Sequence, residues 1–291
     1  ILSAFDTYRS EIDAHNDRRE RLIKASRDIT NLSKKLIFHL HRLPPPAHLS
    51  NPKARVATSA APPPHSQRML NEAAAKQSDI VSLIRRTAYQ EDLAQGHAAS
   101  LRYERNLGGG LEEFIEALSF HHYLLHGTLI THEEVQALFQ PGVAERYTDG
   151  MTGEEQQEMK LTATTSCSQI FPVPTHRYLL GISDLTGELM RFATNALGGG
   201  GGGGKGSSAG PPSDPGTVVR SVLALLRDIR EGLEPFVFLI HDMRKKQAVT
   251  TASLRKIEDL SYNISIRMSE FGGDEKAIRE MVRRALAGGN S

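Results

Sequence analysis

The chain has 291 residues and a mass of 32.0 kDa, with 39% hydrophobic and 24% charged residues, which is enough apolar material for a substantial core and excludes a disordered chain. Its longest apolar runs, such as Phe236 to Ile240, fall far short of the roughly 20 residues that span a bilayer, so no membrane partner is expected. A single cysteine, Cys167, excludes an intramolecular disulfide and a cysteine-based zinc site, and a net charge of +1 excludes a uniformly basic nucleic-acid binder.

That near-neutrality hides an asymmetry. Residues 111–160 hold 10 acidic against 2 basic side chains, whereas residues 1–43 hold 9 basic against 6 acidic. Glycine and proline are just as uneven: ten of the 14 prolines and ten of the 25 glycines fall within 44–66 and 198–216. These two stretches read as low-complexity loop inserts in one helical domain covering 1–291. The opening residues, Ile1 to Asp6, show no basic stretch leading into an apolar one, so no signal peptide is expected, and the missing initiator Met points to a trimmed start. A reducing compartment suits the lone thiol, and a cytoplasmic and nuclear protein is expected.

In chain order, Phe5, Tyr8, Ile12, Leu22, Ile29, Leu32, Leu36 and Leu40 recur mostly at three- and four-residue steps and predict one long amphipathic helix over 5–42. Pro44-Pro45-Pro46 ends it, because proline lacks the amide donor and restricts the residue before it. Helical pattern resumes over about 68–105 through Leu70, Ala74, Ile80, Leu83, Ile84, Ala88 and Leu93, with Gly96 as a break or kink. Gly108-Gly109-Gly110 is read as the opening of a third helix to His126. Thr131 with Glu134 predicts a capping box on a short helix. Residues 141–171 read as a loop. Pro174 starts a strong helix to Leu197, another fits 217–241, and two more fit 251–271 and 274–287, the last capped by Asp274. No stretch alternates with period two, so the fold class is all-α, with about seven helices around one core.

Several motifs carry no site. The polyglycine run and Gly204-Lys205-Gly206 imitate phosphate loops, but those loops need a preceding strand and, in the P-loop, Ser or Thr after the Lys. His122 and His126 stand four apart, yet two ligands without a third define no metal site.

Four carboxylates are more informative. Glu113 and Glu116 lie about 60° apart on a helix that is apolar nearly all round, where a lone buried carboxylate is costly. They must face a wet cavity, pair with cations or bind metal. Asp184 and Glu188, about 40° apart on a second apolar helix, can converge on one ion, and Gly181 and Gly187 there imply close packing or room for a ligand. Ordinary ion-paired faces, with Arg191 serving Glu188 or Asp184, are the alternative. One shared feature explains two such pairs better than two accidents do. Hard oxygen donors suit Mg²⁺, or Mn²⁺, rather than zinc. The Glu-x-x-His pattern of diiron bundles is missing from the sequence. On the first helix, Arg18, Arg21, Lys24 and Arg27 could track phosphates, or form a solvated face with Asp17, Glu20 and Asp28.

Three blocks, Glu20 to Thr30, Leu111 to Phe120 and Tyr178 to Arg191, resemble the translin family in its factor X branch. The most specific is Tyr-Leu-Leu-Gly-x-x-Asp-Leu-Thr-Gly-Glu-Leu-Met-Arg, matched at every fixed position by Tyr178 to Arg191. The resemblance covers most of the chain outside the two inserts and weakens in 141–171 and toward the C-terminus. It implies a translin-like α-helical subunit that joins translin in a closed hetero-oligomer, a Mg²⁺-dependent endoribonuclease acting on single-stranded RNA in small-RNA or transfer-RNA fragment processing. By the same resemblance Glu113, Glu116, Asp184 and Glu188 are catalytic. Of these, Glu116 and Glu188 are expected as direct metal ligands. A non-catalytic, nucleic-acid-binding assembly subunit is the competing expectation.

Overall fold

The computed structural model describes residues 2–50, 64–93, 97–139, 171–197 and 215–270. Among these residues every regular element is helical: α1 (Leu2–Leu40), α2 (Ala47–Ser50), α3 (Pro64–Gln90), α4 (His97–His126), α5 (His132–Ala137), α6 (Thr175–Leu197), α7 (Pro215–Leu233), a 3-10 turn (Glu234–Phe236) and α8 (Met243–Glu270). The all-α expectation holds. The loop read at 141–171 lies almost wholly outside the described residues, as do Gly96, Asp274 and the helix expected over 274–287.

Two compact units divide the chain. The first comprises Ile1–Lys34, Ala74–Ile115 and Ile130–Tyr178; the second comprises Lys35–Ala73, Glu116–Leu129 and Leu179–Ser291.

In the first unit, α1 buries Leu22 and Ile29, seven residues apart, while Phe5, Tyr8 and Ile12 remain 63%, 58% and 59% exposed. The apolar stripe thus runs on past the part of the helix that the described residues bury. Helix α4 begins at His97, and the three glycines lie inside it rather than at its start. Close approach explains two of them. A Cβ on Gly110 would meet the Ser26 carbonyl oxygen at 2.8 Å and Cα at 3.0 Å, and a Cβ on Gly108 would run into the Arg177 guanidinium. The helix accepts their conformational cost because α1 and Arg177 come so near. The Gly110 amide donates to Ser26 Oγ at 3.0 Å, tying the two helices at that point.

The capping box on α5 forms as expected: Thr131 Oγ1 accepts from the Glu134 amide and Glu134 Oε2 accepts from the Thr131 amide. Phe139 packs edge-on against both Phe114 and Phe171, and Gln136 binds the Phe171 carbonyl and the Val173 amide. Tyr178 donates to the Ile130 carbonyl at 2.7 Å.

In the second unit, α6 buries Leu180, Ile182, Leu185, Leu189, Phe192 and Ala193, and α7 buries Val218, Val219, Val222, Leu226, Ile229 and Leu233 at helical spacing. The helix expected over 217–241 stops at Leu233, because Pro235 supplies no amide donor and the chain passes into a 3-10 turn. Asp242 then adopts φ 68° before α8 starts at Met243, eight residues earlier than expected. Polar residues Gln247, Thr250 and Ser253 on the buried side of α8 had masked its apolar period. Thr186 and Thr250 share a buried hydrogen bond at 3.0 Å between α6 and α8.

Candidate functional site

Helix α4 is buried on nearly every side between Leu107 and Leu124, as its sequence requires, and Glu113 and Glu116 are half-buried breaks in that apolar surface. Glu113 belongs to the first unit. It lines an open groove of about 450 Å³ with Ser26, Arg27, Thr30, Asn31 and Gly109, and sits 3.4 Å from the Lys34 ammonium. A wet cavity and a cation therefore both relieve its burial.

Glu116, Asp184 and Glu188 belong to the second unit. Asp184 and Glu188 occupy successive turns of α6, whose Ser183, Leu185 and Thr186 are buried. Lys246 of α8 donates to Asp184 Oδ2 at 2.5 Å, and that carboxylate keeps 36% of its side-chain surface open. Glu188 is less accessible, at 15%, and accepts a hydrogen bond from His41 Nε2 at the end of α1. Arg191 stands 3.6 Å away, as its spacing predicts. Burial pushes the Glu188 carboxyl pKa up, but the His41 hydrogen bond and the charges of Arg191 and His41 outweigh it and hold the pKa below the ordinary value.

His41 links two of the helices carrying these acids. Its ring packs 4.8 Å from that of Phe120, one turn beyond Glu116 on α4, while its Nε2 holds Glu188 of α6. Phe120 in turn lies edge-on to Phe192 of α6, with centroids 5.9 Å apart. Among the described residues no three His, Cys, Asp or Glu side chains stand together as a ready metal cage. Asp184 and Glu188 nevertheless fit Mg²⁺, which takes one or two carboxylates and keeps several waters. Gly187 between them leaves open space where a Cβ would stand.

The basic residues of α1 divide. Arg21 grips Glu91 with two hydrogen bonds, of 2.6 and 3.0 Å. Arg18 turns inward, 3.5 Å from Glu91 and 4.7 Å from the centre of the Tyr103 ring. Lys24 and Arg27 are exposed. Glu91 holds the two arginines, and the local Asp17 adds a weaker attraction on Arg21. His122 and His126 lie ring to ring at 4.5 Å, with His122 also bonded to Thr128.

His41, Lys34 and Lys246 were not singled out in the sequence. They reach the acids only through the fold: His41 and Glu188 are 147 residues apart, and Lys246 and Asp184 are 62 apart. Lys246 does end a basic run, Arg244-Lys245-Lys246, and that is the one local signal. Among the described residues no helix is long and apolar enough to cross a membrane.

Fold and site together define an all-helical protein with half-buried carboxylates on two of its core helices. The sequence profile of the Translin family matches residues 17–268. Translin-associated protein X of Mus musculus is 33% identical over 285 residues, covering 93% of this chain and 80% of that protein. The Rattus norvegicus protein of the same name is 31% identical over 279 residues, with the same coverage. Among solved structures, the crystal structure of apo-NeC3PO shares the fold with a TM-score of 0.50 at 15% identity, covering 90% of this chain and 97% of that one. The chain belongs to the translin family.

Proposed function

We propose that this chain supplies the catalytic carboxylates of a Mg²⁺-dependent endoribonuclease that cuts single-stranded RNA within a hetero-oligomer containing translin. The relatives named translin-associated protein X support the choice of partner. The observation that carries the catalytic reading is His41: one ring touches α4 a turn from Glu116 and binds Glu188 on α6. Glu116 and Glu188 would hold the ion, Mg²⁺ or Mn²⁺, with Asp184 as ligand, base or support. Bound there, the ion would polarise a scissile phosphate and acidify a water.

The protein's own side chains prepare these acids. His41 fixes the orientation of Glu188 and, with Arg191, keeps it ionised at neutral pH. Lys246 orients Asp184 through its ammonium and offsets a negative charge that would repel RNA. Partial burial leaves each carboxylate few orientations, so little ordering remains to be done when substrate arrives.

A second reading, a non-catalytic assembly subunit, is favoured by the ion pairs Lys34–Glu113, Lys246–Asp184 and His41–Glu188, which satisfy three of the acids without a metal. Cleavage of labelled single-stranded RNA by the co-purified complex, with and without EDTA and beside a Glu116→Ala complex, decides between them. We expect products with 5′-phosphate and 3′-hydroxyl ends, and loss of cleavage by at least about 100-fold on either change, with assembly intact. Cleavage indifferent to both would sink the assignment, and no cleavage with any divalent metal would favour the second reading.

A further inference from the structure

Helix α8 presents Lys246 and Thr250 to α6, and on its neighbouring flank it forms a groove with α7 and the 3-10 turn. That groove measures about 390 Å³ and, among the described residues, includes Arg230, Arg244 and Arg255 against one acid, Glu234. Arg230 is anchored from below, its Nε donating to Thr251 Oγ1 at 3.1 Å and its carbonyl accepting from Gln247 at 2.9 Å. The same Gln247 amide donates to Glu234 at 3.2 Å, so the acid is partly engaged by a neutral group. Arg244 and Arg255 are exposed.

Beside the arginines stands an aromatic ring with little reason to be in water. Phe238 is 83% exposed and its neighbour Leu239 is 77% exposed. The Arg244 guanidinium, part of the groove, lies 5.1 Å from the centre of the Phe238 ring. Guanidinium groups that follow a groove, next to an exposed aromatic face, are the two parts that single-stranded nucleic-acid binders combine: phosphates pair with the cations and a base stacks on the ring.

We propose that the α7–α8 groove anchors the backbone of single-stranded RNA, with Arg244 and Arg255 on phosphates and Phe238 stacking a base. The inference rests on single-stranded RNA being the substrate proposed above. Through α8 it sets the strand's anchor beside Asp184, so the groove would feed the carboxylates rather than act as a separate receptor. It also supplies what Arg18 and Arg21, committed to Glu91, do not.

The test is fluorescence anisotropy with a 5′-labelled 20-nucleotide single-stranded RNA and the full chain in EDTA, which separates binding from cleavage. Arg244→Ala with Arg255→Ala is expected to weaken binding about tenfold or more, and to flatten the slope of log K against log salt by about 1.4 for two lost phosphate contacts. Phe238→Ala is expected to cost at least about fivefold. All three side chains are exposed, and an unchanged thermal melt confirms the fold. Unchanged affinity and slope in the double variant would overturn the proposal. So would equal weakening for inorganic polyphosphate with no effect of Phe238→Ala, which would mark a generic anion surface. Arginine-dependent binding without metal-dependent cleavage would leave the groove standing and remove the catalytic reading; cleavage with arginine-independent binding would do the reverse.

Discussion

The arginines of α1 and those along α7 and α8 sit on helices of similar mixed charge and meet different ends. In the first unit Glu91, only 8% exposed at its side chain, draws in both Arg18 and Arg21, and Arg18 also lies over Tyr103. Their charge is spent on holding the end of α3 against α1. In the second unit Arg244 and Arg255 are exposed, Arg244 beside the Phe238 ring, and among the described residues Glu234 is the acid lining their groove. A basic stripe in a sequence therefore has no fixed meaning: a guanidinium can be a structural clamp or a ligand site, and the acid it meets in the fold decides which. The second unit also treats charge in a further way, by excluding it. Burial, and then the nearby His126, His122 and His39, lower the His121 pKa to about 4, so His121 stays neutral where an ordinary histidine would be charged.

The largest expected effect sharpens that last contrast. The unfolded chain protonates His121 near pH 6.5 and the folded chain only near pH 4. Its neutral form therefore favours folding above pH 6.5, and this contribution falls away as pH drops from 6.5 through 4. At 1.36 kcal/mol per unit the loss is about 3 kcal/mol. Urea unfolding of His121→Leu at pH 7 and pH 5 should show a flatter pH dependence than the native chain; identical slopes would mean that His121 is not held neutral.

Next in size is Glu91→Ala, which strips Arg18 and Arg21 of their shared partner and leaves Arg18 half-buried beside Tyr103 without it. Breaking a buried pair costs about 3–5 kcal/mol, and because Arg21 is largely exposed we expect about 2 kcal/mol by chemical denaturation. A loss below about 0.5 kcal/mol would break the comparison, since the α1 arginines would then be as free as those of the groove. Smallest of all, Arg244→Ala or Arg255→Ala should move stability by no more than about 0.5 kcal/mol while affecting RNA binding. A loss of 2 kcal/mol in either would make the groove arginines clamps too.

Much of this was legible locally. The long apolar stripe of α1, the capping pair Thr131 and Glu134, and the acids at 113, 116, 184 and 188 on apolar helices all follow from residue type and spacing. Where reading the sequence went astray, a local signal had a distant cause. Gly108 and Gly110 looked like a helix start because glycine often is one, but they are small to admit Arg177 and Ser26. Phe5, Tyr8 and Ile12 keep helical periodicity yet stay exposed among the described residues. Phe238 falls in the stretch expected as the end of the 217–241 helix, but it lies beyond that helix and stands in solvent.

The sequence by itself determined the helical class, most helix boundaries and which carboxylates face an energetic problem, because periodicity, capping and the cost of burying charge act over one or two turns. Tertiary structure alone decided how that problem is solved. Lys34 reaches Glu113, His41 reaches Glu188 and Lys246 reaches Asp184 across 79, 147 and 62 residues of chain. Ion pairing depends on distance in space, and no spacing rule along one helix carries that information.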